Sequence, residues 1–210
     1  KYTRRFEDQK AFSNFGISIS YGSLRQQASA FAAFLQHRFN IKKGDRVALM
    51  MPNILQYPIA VFGCLLSGAV VVNVNPLYTA RELRHQLKDS GAETIIICAN
   101  FAKTLQEVLP DTNVRNIVTT ELGDRLGLKG KIINFVVKYI KKMVPKYSLE
   151  GAIKFNDLMS RAEKYKYTSV DINPADLAFL QYTGGTTGVS KGAELTHGCM
   201  MANIAQLREW

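Results

Sequence analysis

Tyr182-Thr183-Gly184-Gly185-Thr186-Thr187-Gly188-Val189-Ser190-Lys191-Gly192 follows the apolar stretch Leu177 to Leu180, and its composition suits a polyphosphate. Four glycines let the backbone take positive φ and approach a ligand closely, three threonines offer hydroxyl donors, and Lys191 adds a mobile point charge. Glycine loses more conformational freedom on ordering than any other residue, so this density beside a cation points to a loop that orders around an anion. A plain solvated turn needs only one or two glycines.

The spacing rules out the two commonest phosphate loops. A Walker A loop places its lysine directly after glycine and a metal-binding hydroxyl directly after the lysine, whereas Lys191 lies between Ser190 and Gly192. The G-x-G-x-x-G spacing of dinucleotide-binding turns is also absent.

The run from Tyr182 to Gly192 resembles the phosphate-binding motif [YF]-T-[SG]-G-T-T-G-x-x-K-G of the adenylate-forming superfamily, which includes acyl-CoA synthetases, luciferases and peptide-synthetase adenylation domains. Gly184 stands where many members carry serine, and Ser190 where most carry proline. Upstream, Ser20-Tyr21-Gly22-Ser23-Leu24 resembles the early T-Y-x-E-L element, with serine in place of the glutamate. Gly44 to Leu49, Met51-Pro52-Asn53, Ser67-Gly68-Ala69, Asn75 to Tyr78 and Arg81-Glu82-Leu83 follow in the family's order. Together they are similar to the bacterial long-chain fatty acyl-CoA synthetase branch, from about Phe6 to the last residue.

That resemblance implies an ATP-dependent, AMP-forming acid–thiol ligase, in which a fatty carboxylate attacks the α-phosphorus of ATP and coenzyme A then displaces AMP. It implies that Thr183, Gly184, Gly185, Thr186, Thr187, Gly188 and Lys191 hold the β- and γ-phosphates, with Lys191 the catalytic residue within this segment. The adenine segment and the Mg²⁺ ligands fall beyond Trp210, so a polypeptide ending there is expected to be inactive alone. Two alternatives stay open: an adenylating enzyme for another carboxylic acid, and a non-catalytic nucleotide- or membrane-binding module.

Helical and β-type segments alternate along the 210 residues, which predicts an α/β fold: a doubly wound parallel sheet covered by helices on both faces. Gln26 to Phe39, Ile54 to Leu66 and Phe101 to Leu109 read as helices. Arg46 to Met50, Val70 to Val74, Glu93 to Cys98, Ile117 to Thr120 and Leu177 to Tyr182 read as strands. Thr79 and Glu82 have capping-box spacing. Ala193 to Thr196 reads as a strand and Gly198 to Trp210 as a helix. A polar, proline-bearing stretch at Asp171 to Pro174 divides a first α/β subdomain, 1–172, from the start of a second, 173–210, which carries the loop.

Tyr182 reads as a buried strand residue, His197 as a capping or packing residue, and Asn73 and Asn75 as partners of local backbone groups. Cys64, Cys98 and Cys199 read as reduced thiols in apolar or helical surroundings, which places the protein in the cytoplasm and leaves no metal site. No signal peptide is visible, and the missing initiator methionine is expected of a cut segment.

The net charge of +10 is concentrated locally: Arg125 to Leu149 holds seven basic residues and no acidic one. On a helix, Ile132, Ile133, Phe135, Val136, Val137, Tyr139, Ile140, Met143 and Val144 share an arc opposite Lys131, Lys138, Lys141 and Lys142. Two readings follow for the stretch from Lys131 to Lys146: peripheral attachment to the anionic inner face of the cytoplasmic membrane, or a solvated helix whose apolar arc packs on the sheet. Stacking aromatics are not interleaved with the charge, which argues against nucleic acid.

Overall fold

Short apolar runs, of valine in β4 (Val70–Asn73) and of isoleucine in β5 (Thr94–Cys98), set the central strands, and the residues between them set the helices that cover the sheet. The computed structural model describes residues 5–183 and 190–209. Ser20 starts helix α1 (Tyr21–Arg38), its hydroxyl accepting from the Ser23 amide at 3.2 Å. Strand β3 (Arg46–Met50), helix α2 (Gln56–Leu66), strand β4 (Val70–Asn73), helix α3 (Ala80–Ser90), strand β5 (Thr94–Cys98), helix α4 (Ala102–Val108) and strand β6 (Asn116–Thr120) follow. Before them, β1 (Lys10–Asn14) and β2 (Ile17–Ser20) form a separate antiparallel hairpin, turned at Phe15 and Gly16, both at positive φ.

After β6 come α5 (Gly127–Phe135), β7 (Ile153–Lys154), α6 (Phe155–Ala162), β8 (Leu177–Thr183), β9 (Lys191–Thr196) and α7 (His197–Glu209). One seven-stranded sheet runs β7-β6-β5-β3-β4-β8-β9, parallel throughout except that β9 is antiparallel to β8. Strand β8 lies beside β4, with Val72 opposite Leu180, so 177–183 extends the sheet begun by the earlier strands.

Alternation along the strands feeds two cores. Val47, Leu49, Val71 and Ile96 face α1, α2 and α6, where Phe31 and Phe155 are fully buried with rings stacked at 5.6 Å. Ala48, Met50, Val72, Ile95 and Ile97 face α3 and α4, against Leu83, Leu87 and Leu105. The predicted doubly wound sheet with helices on both faces is therefore present. Burying each large side chain contributes about 1.5–3 kcal/mol. Helices α1 and α2 approach closely because Gly63 has no side chain: a Cβ there would stand 2.6 Å from Phe31 Cδ1.

The basic stretch differs from the continuous helix expected. Helix α5 passes into a π-helical segment at Val136–Ile140, and the chain turns at Lys142, which has positive φ. Ile133 packs on the core, but Ile132, Phe135, Tyr139, Ile140 and Met143 are more than half exposed. Most of the arc thus faces away from the sheet. Among the described residues no helix is long and apolar enough to cross a membrane.

Candidate phosphate-binding site

The antiparallel turn from β8 to β9 fixes where the glycine-rich segment emerges. Thr183, the last residue of β8, is paired with Lys191, the first of β9, and both are exposed. This register places Thr183 and Lys191 directly opposite each other across one neck. Of the seven predicted phosphate-binding residues, Gly184, Gly185, Thr186, Thr187 and Gly188 lie outside the described residues.

Helix α3 supports both strands of the neck. Its start is fixed by a complete capping box: the Glu82 amide reaches the Thr79 hydroxyl, and the Thr79 amide donates to the Glu82 carboxylate at 2.8 Å. Those hydrogen bonds hold the Glu82 carboxyl below its ordinary range. Leu83 and Leu87 anchor the buried face, and Gly91 ends the helix in the left-handed conformation. From the outer side, Asp89 accepts the Tyr182 hydroxyl at 2.6 Å, and His85 Nε2 lies 3.0 Å from the Ser190 carbonyl oxygen, to which it donates. Burial, and then the Asp89 carboxylate, push the Tyr182 phenol well above its ordinary value, so it stays protonated as a donor.

Beneath the neck, three side chains form a chain of hydrogen bonds across the sheet. Tyr57 donates to Asn73 Oδ1 at 2.9 Å, and Asn73 Nδ2 donates to Gln181 Oε1 at 2.9 Å. Gln86 of α3 adds a bond to the Asn73 carbonyl at 2.7 Å. Asn73 therefore links α2 with β8, whereas the sequence pattern gave it local backbone partners. Asn75 does behave locally, accepting from the Leu77 amide. Tyr57, Asn73, Asn75 and Gln181 line a cavity of about 220 Å³ with Leu49 and Met51. It sits outside the carboxyl ends of β3 and β4, whose following helices go to opposite faces, and ligands of open α/β sheets bind at such switch points.

Tyr182 is buried as expected, and its hydroxyl bond to Asp89 is an addition. Helix α7 is capped by Thr196, which accepts from the Cys199 amide, rather than by the His197 side chain. Cys64 and Cys98 are buried thiols, but Cys199 is exposed, because α7 lies on the outside of the described fold. Among the described residues, no three or more His, Cys, Asp or Glu gather to hold a metal ion. Sequence reasoning missed His85, Asp89, Tyr57 and Gln181, since each takes its meaning from a partner distant in the chain.

The model of the AMP-binding enzyme family matches residues 1–210. The chain is 55% identical over 204 residues to the long-chain-fatty-acid–CoA ligase of Escherichia coli O6:H1, covering 97% of this chain and 36% of that protein. It is 34% identical over 207 residues to the long-chain-fatty-acid–CoA ligase of Bacillus subtilis, covering 98% of this chain and 37% of that one. The chain thus spans little more than a third of the length of the curated relatives it matches. Among solved structures, a long-chain-fatty-acid–CoA ligase from Archaeoglobus fulgidus superposes with a TM-score of 0.72 at 25% identity, over 98% of this chain and 37% of that one. An anthranilate CoA ligase has the same fold, with a TM-score of 0.74 at 19% identity over 92% of this chain and 32% of that one. A whole-length family match, close relatives and the α/β sheet with its β8–β9 neck agree: this chain belongs to the AMP-binding enzyme family.

Proposed function

We propose that this chain is part of an ATP-dependent acid–thiol ligase that activates a long-chain fatty acid and transfers it to coenzyme A. The observation that carries this reading is the 55% identity, over 97% of the chain, with a protein named for that reaction. A carboxylate oxygen attacks the α-phosphorus of ATP, forming an acyl-adenylate and expelling pyrophosphate. The thiol of coenzyme A then forms the C–S bond and expels AMP, losing its proton to solvent. Positioning and charge stabilisation dominate the first step, because the protein supplies little covalent chemistry to phosphoryl transfer.

In this reading Thr183, Gly184, Gly185, Thr186, Thr187, Gly188 and Lys191 hold the β- and γ-phosphates. The paired Thr183 and Lys191 at the neck support it. Mg²⁺ would neutralise phosphate charge, and the resemblance to the family assigns its ligands to residues outside this segment. The segment alone is therefore expected to bind nucleotide weakly and not to turn over, and the boundary at 172/173 stays part of this proposal. In an enzyme of the relatives' full length carrying this segment, Lys191→Ala should lower pyrophosphate exchange by about tenfold or more, since hydrogen bonds to charged groups contribute about 1.5–3 kcal/mol. An unchanged rate removes Lys191 from the mechanism. Exchange driven by aryl or short-chain acids but not by palmitate would replace the fatty-acid assignment.

The exposed apolar residues beside the lysines of the 127–143 segment favour a second element of function, peripheral attachment to an anionic bilayer on the cytoplasmic side. Phe135 is 56% and Ile140 63% exposed. The segment is tied to the fold on its other side, where Asn134 accepts from the Gly123 amide at 2.6 Å. Each lysine near such a surface contributes about 1 kcal/mol. Co-sedimentation with phosphatidylserine vesicles should be lost on reversing Lys138, Lys141 and Lys142 to glutamate; equal binding rejects the attachment.

A further inference from the structure

We infer that helix α3 is a latch for the phosphate-binding hairpin, with Asp89 holding its incoming strand, His85 holding its outgoing strand, and both acting as positioning residues. The inference rests on the proposed ligase reading for its consequence and on geometry for its form. Asp89 takes the Tyr182 hydroxyl at 2.6 Å, one residue before the paired neck. His85 reaches the Ser190 carbonyl at 3.0 Å, one residue after the glycine-rich segment and directly before Lys191. The two latching residues are four apart on one helix, so they lie on the same face one turn apart.

The helix that carries them is itself held firmly. Its first turn is closed by the Thr79–Glu82 capping box, Leu83 and Leu87 are fully buried, and Gln86 ties its middle to the end of β4. Arg84 pairs with Asp111 at 2.8 Å on a further side. A rigid bar with two attachment points fixes the separation and register of the two strand ends. Fixing the two strand ends before the ligand arrives lowers the ordering cost paid at binding, and misplacement by about 1 Å is enough to cost about a hundredfold in rate.

The two half-reactions separate this role from general folding damage, because only adenylate formation involves the β- and γ-phosphates. In an enzyme of the relatives' full length carrying this segment, His85→Ala and Asp89→Ala should raise KM for MgATP and lower kcat/KM of pyrophosphate exchange by about tenfold or more. Thioester formation from supplied palmitoyl-adenylate and coenzyme A should stay within about twofold of wild type. His85→Gln keeps an N–H donor and Asp89→Asn keeps a carbonyl acceptor, so both should recover exchange to within about threefold. Unchanged exchange in the alanine variants, or equal loss in both half-reactions, overturns the latch. A wild type lacking both half-reactions overturns the ligase reading and the latch with it, whereas an active wild type with unaffected variants overturns the latch alone.

Discussion

Gly192 lies flat against the ring of Tyr182: the two are paired across β8 and β9, and a Cβ on Gly192 would stand 3.0 Å from both Cε2 and Cζ of the tyrosine. A side chain at position 192 would therefore crowd the ring of Tyr182, whose hydroxyl reaches Asp89. Gly192→Ala should push the ring aside and lower stability by about 1–3 kcal/mol, the usual cost of overpacking. Urea unfolding followed by far-UV circular dichroism measures this, and a midpoint equal to wild type would show that the ring has room to move.

Asn73 works because its amide is polar in two senses, accepting from Tyr57 and donating to Gln181. Asn73→Asp replaces the donor with an oxygen and sets two acceptors against each other, with an expected cost of about 1–3 kcal/mol near pH 7.5. Protonation of the new carboxyl restores a donor, so the deficit should shrink as pH falls through that carboxyl's titration. A deficit independent of pH between 4.5 and 7.5, read from denaturant unfolding, would contradict the bond assignment.

The three thiols should react in a fixed order. Burial pushes Cys64 far up and Cys98 up to about 11, whereas Cys199 is exposed and held below its ordinary value by its hydrogen bond with Thr196. Thiolate is the reactive form, so iodoacetamide at pH 7.5 should label Cys199 first and leave the other two until unfolding. Peptide mass spectrometry of the folded 210-residue chain reads the order directly. Early labelling of Cys64 would mean that the α1–α2 core opens readily.

The α3 capping box makes a pH-dependent contribution of known sign. The folded-state carboxyl of Glu82 titrates lower than in the unfolded chain, so its stabilisation is fully present above the unfolded value and is lost as pH falls through the folded one. Thr79→Ala removes the partner and should cost about 1 kcal/mol at neutral pH. The gap between wild type and variant should then narrow toward pH 3. A gap that widens on acidification would assign the shift to another group.

Local chemistry was legible in the sequence and distant chemistry was not. The Thr79–Glu82 box spans four residues, and the valine run of β4 and the isoleucine run of β5 announce themselves without any partner. Helix α1 starts at Tyr21 and not Gln26 because the Ser20 hydroxyl caps a polar first turn that the apolar spacing ignores. The Lys10–Ser20 hairpin escaped notice because serine and asparagine interrupt its alternation, and β7 is only two residues long. At the site, the motif brought Thr183 and Lys191 to attention, and the structure pairs them. Asp89 and His85 carried no signal, since their partners lie 93 and 105 residues away.

The pairing of β4 with β8 sets the timetable of assembly on the ribosome. Asn73 and Gln181 are joined across 108 residues, whereas β8 and β9 are neighbours in the chain. At about 5–20 residues per second, the valine edge of β4 stands uncovered for roughly 5–20 s after it is made. An open, apolar strand edge is a template for the wrong neighbour. Newly made chains interrupted before residue 177 should therefore aggregate more readily than those that include the hairpin.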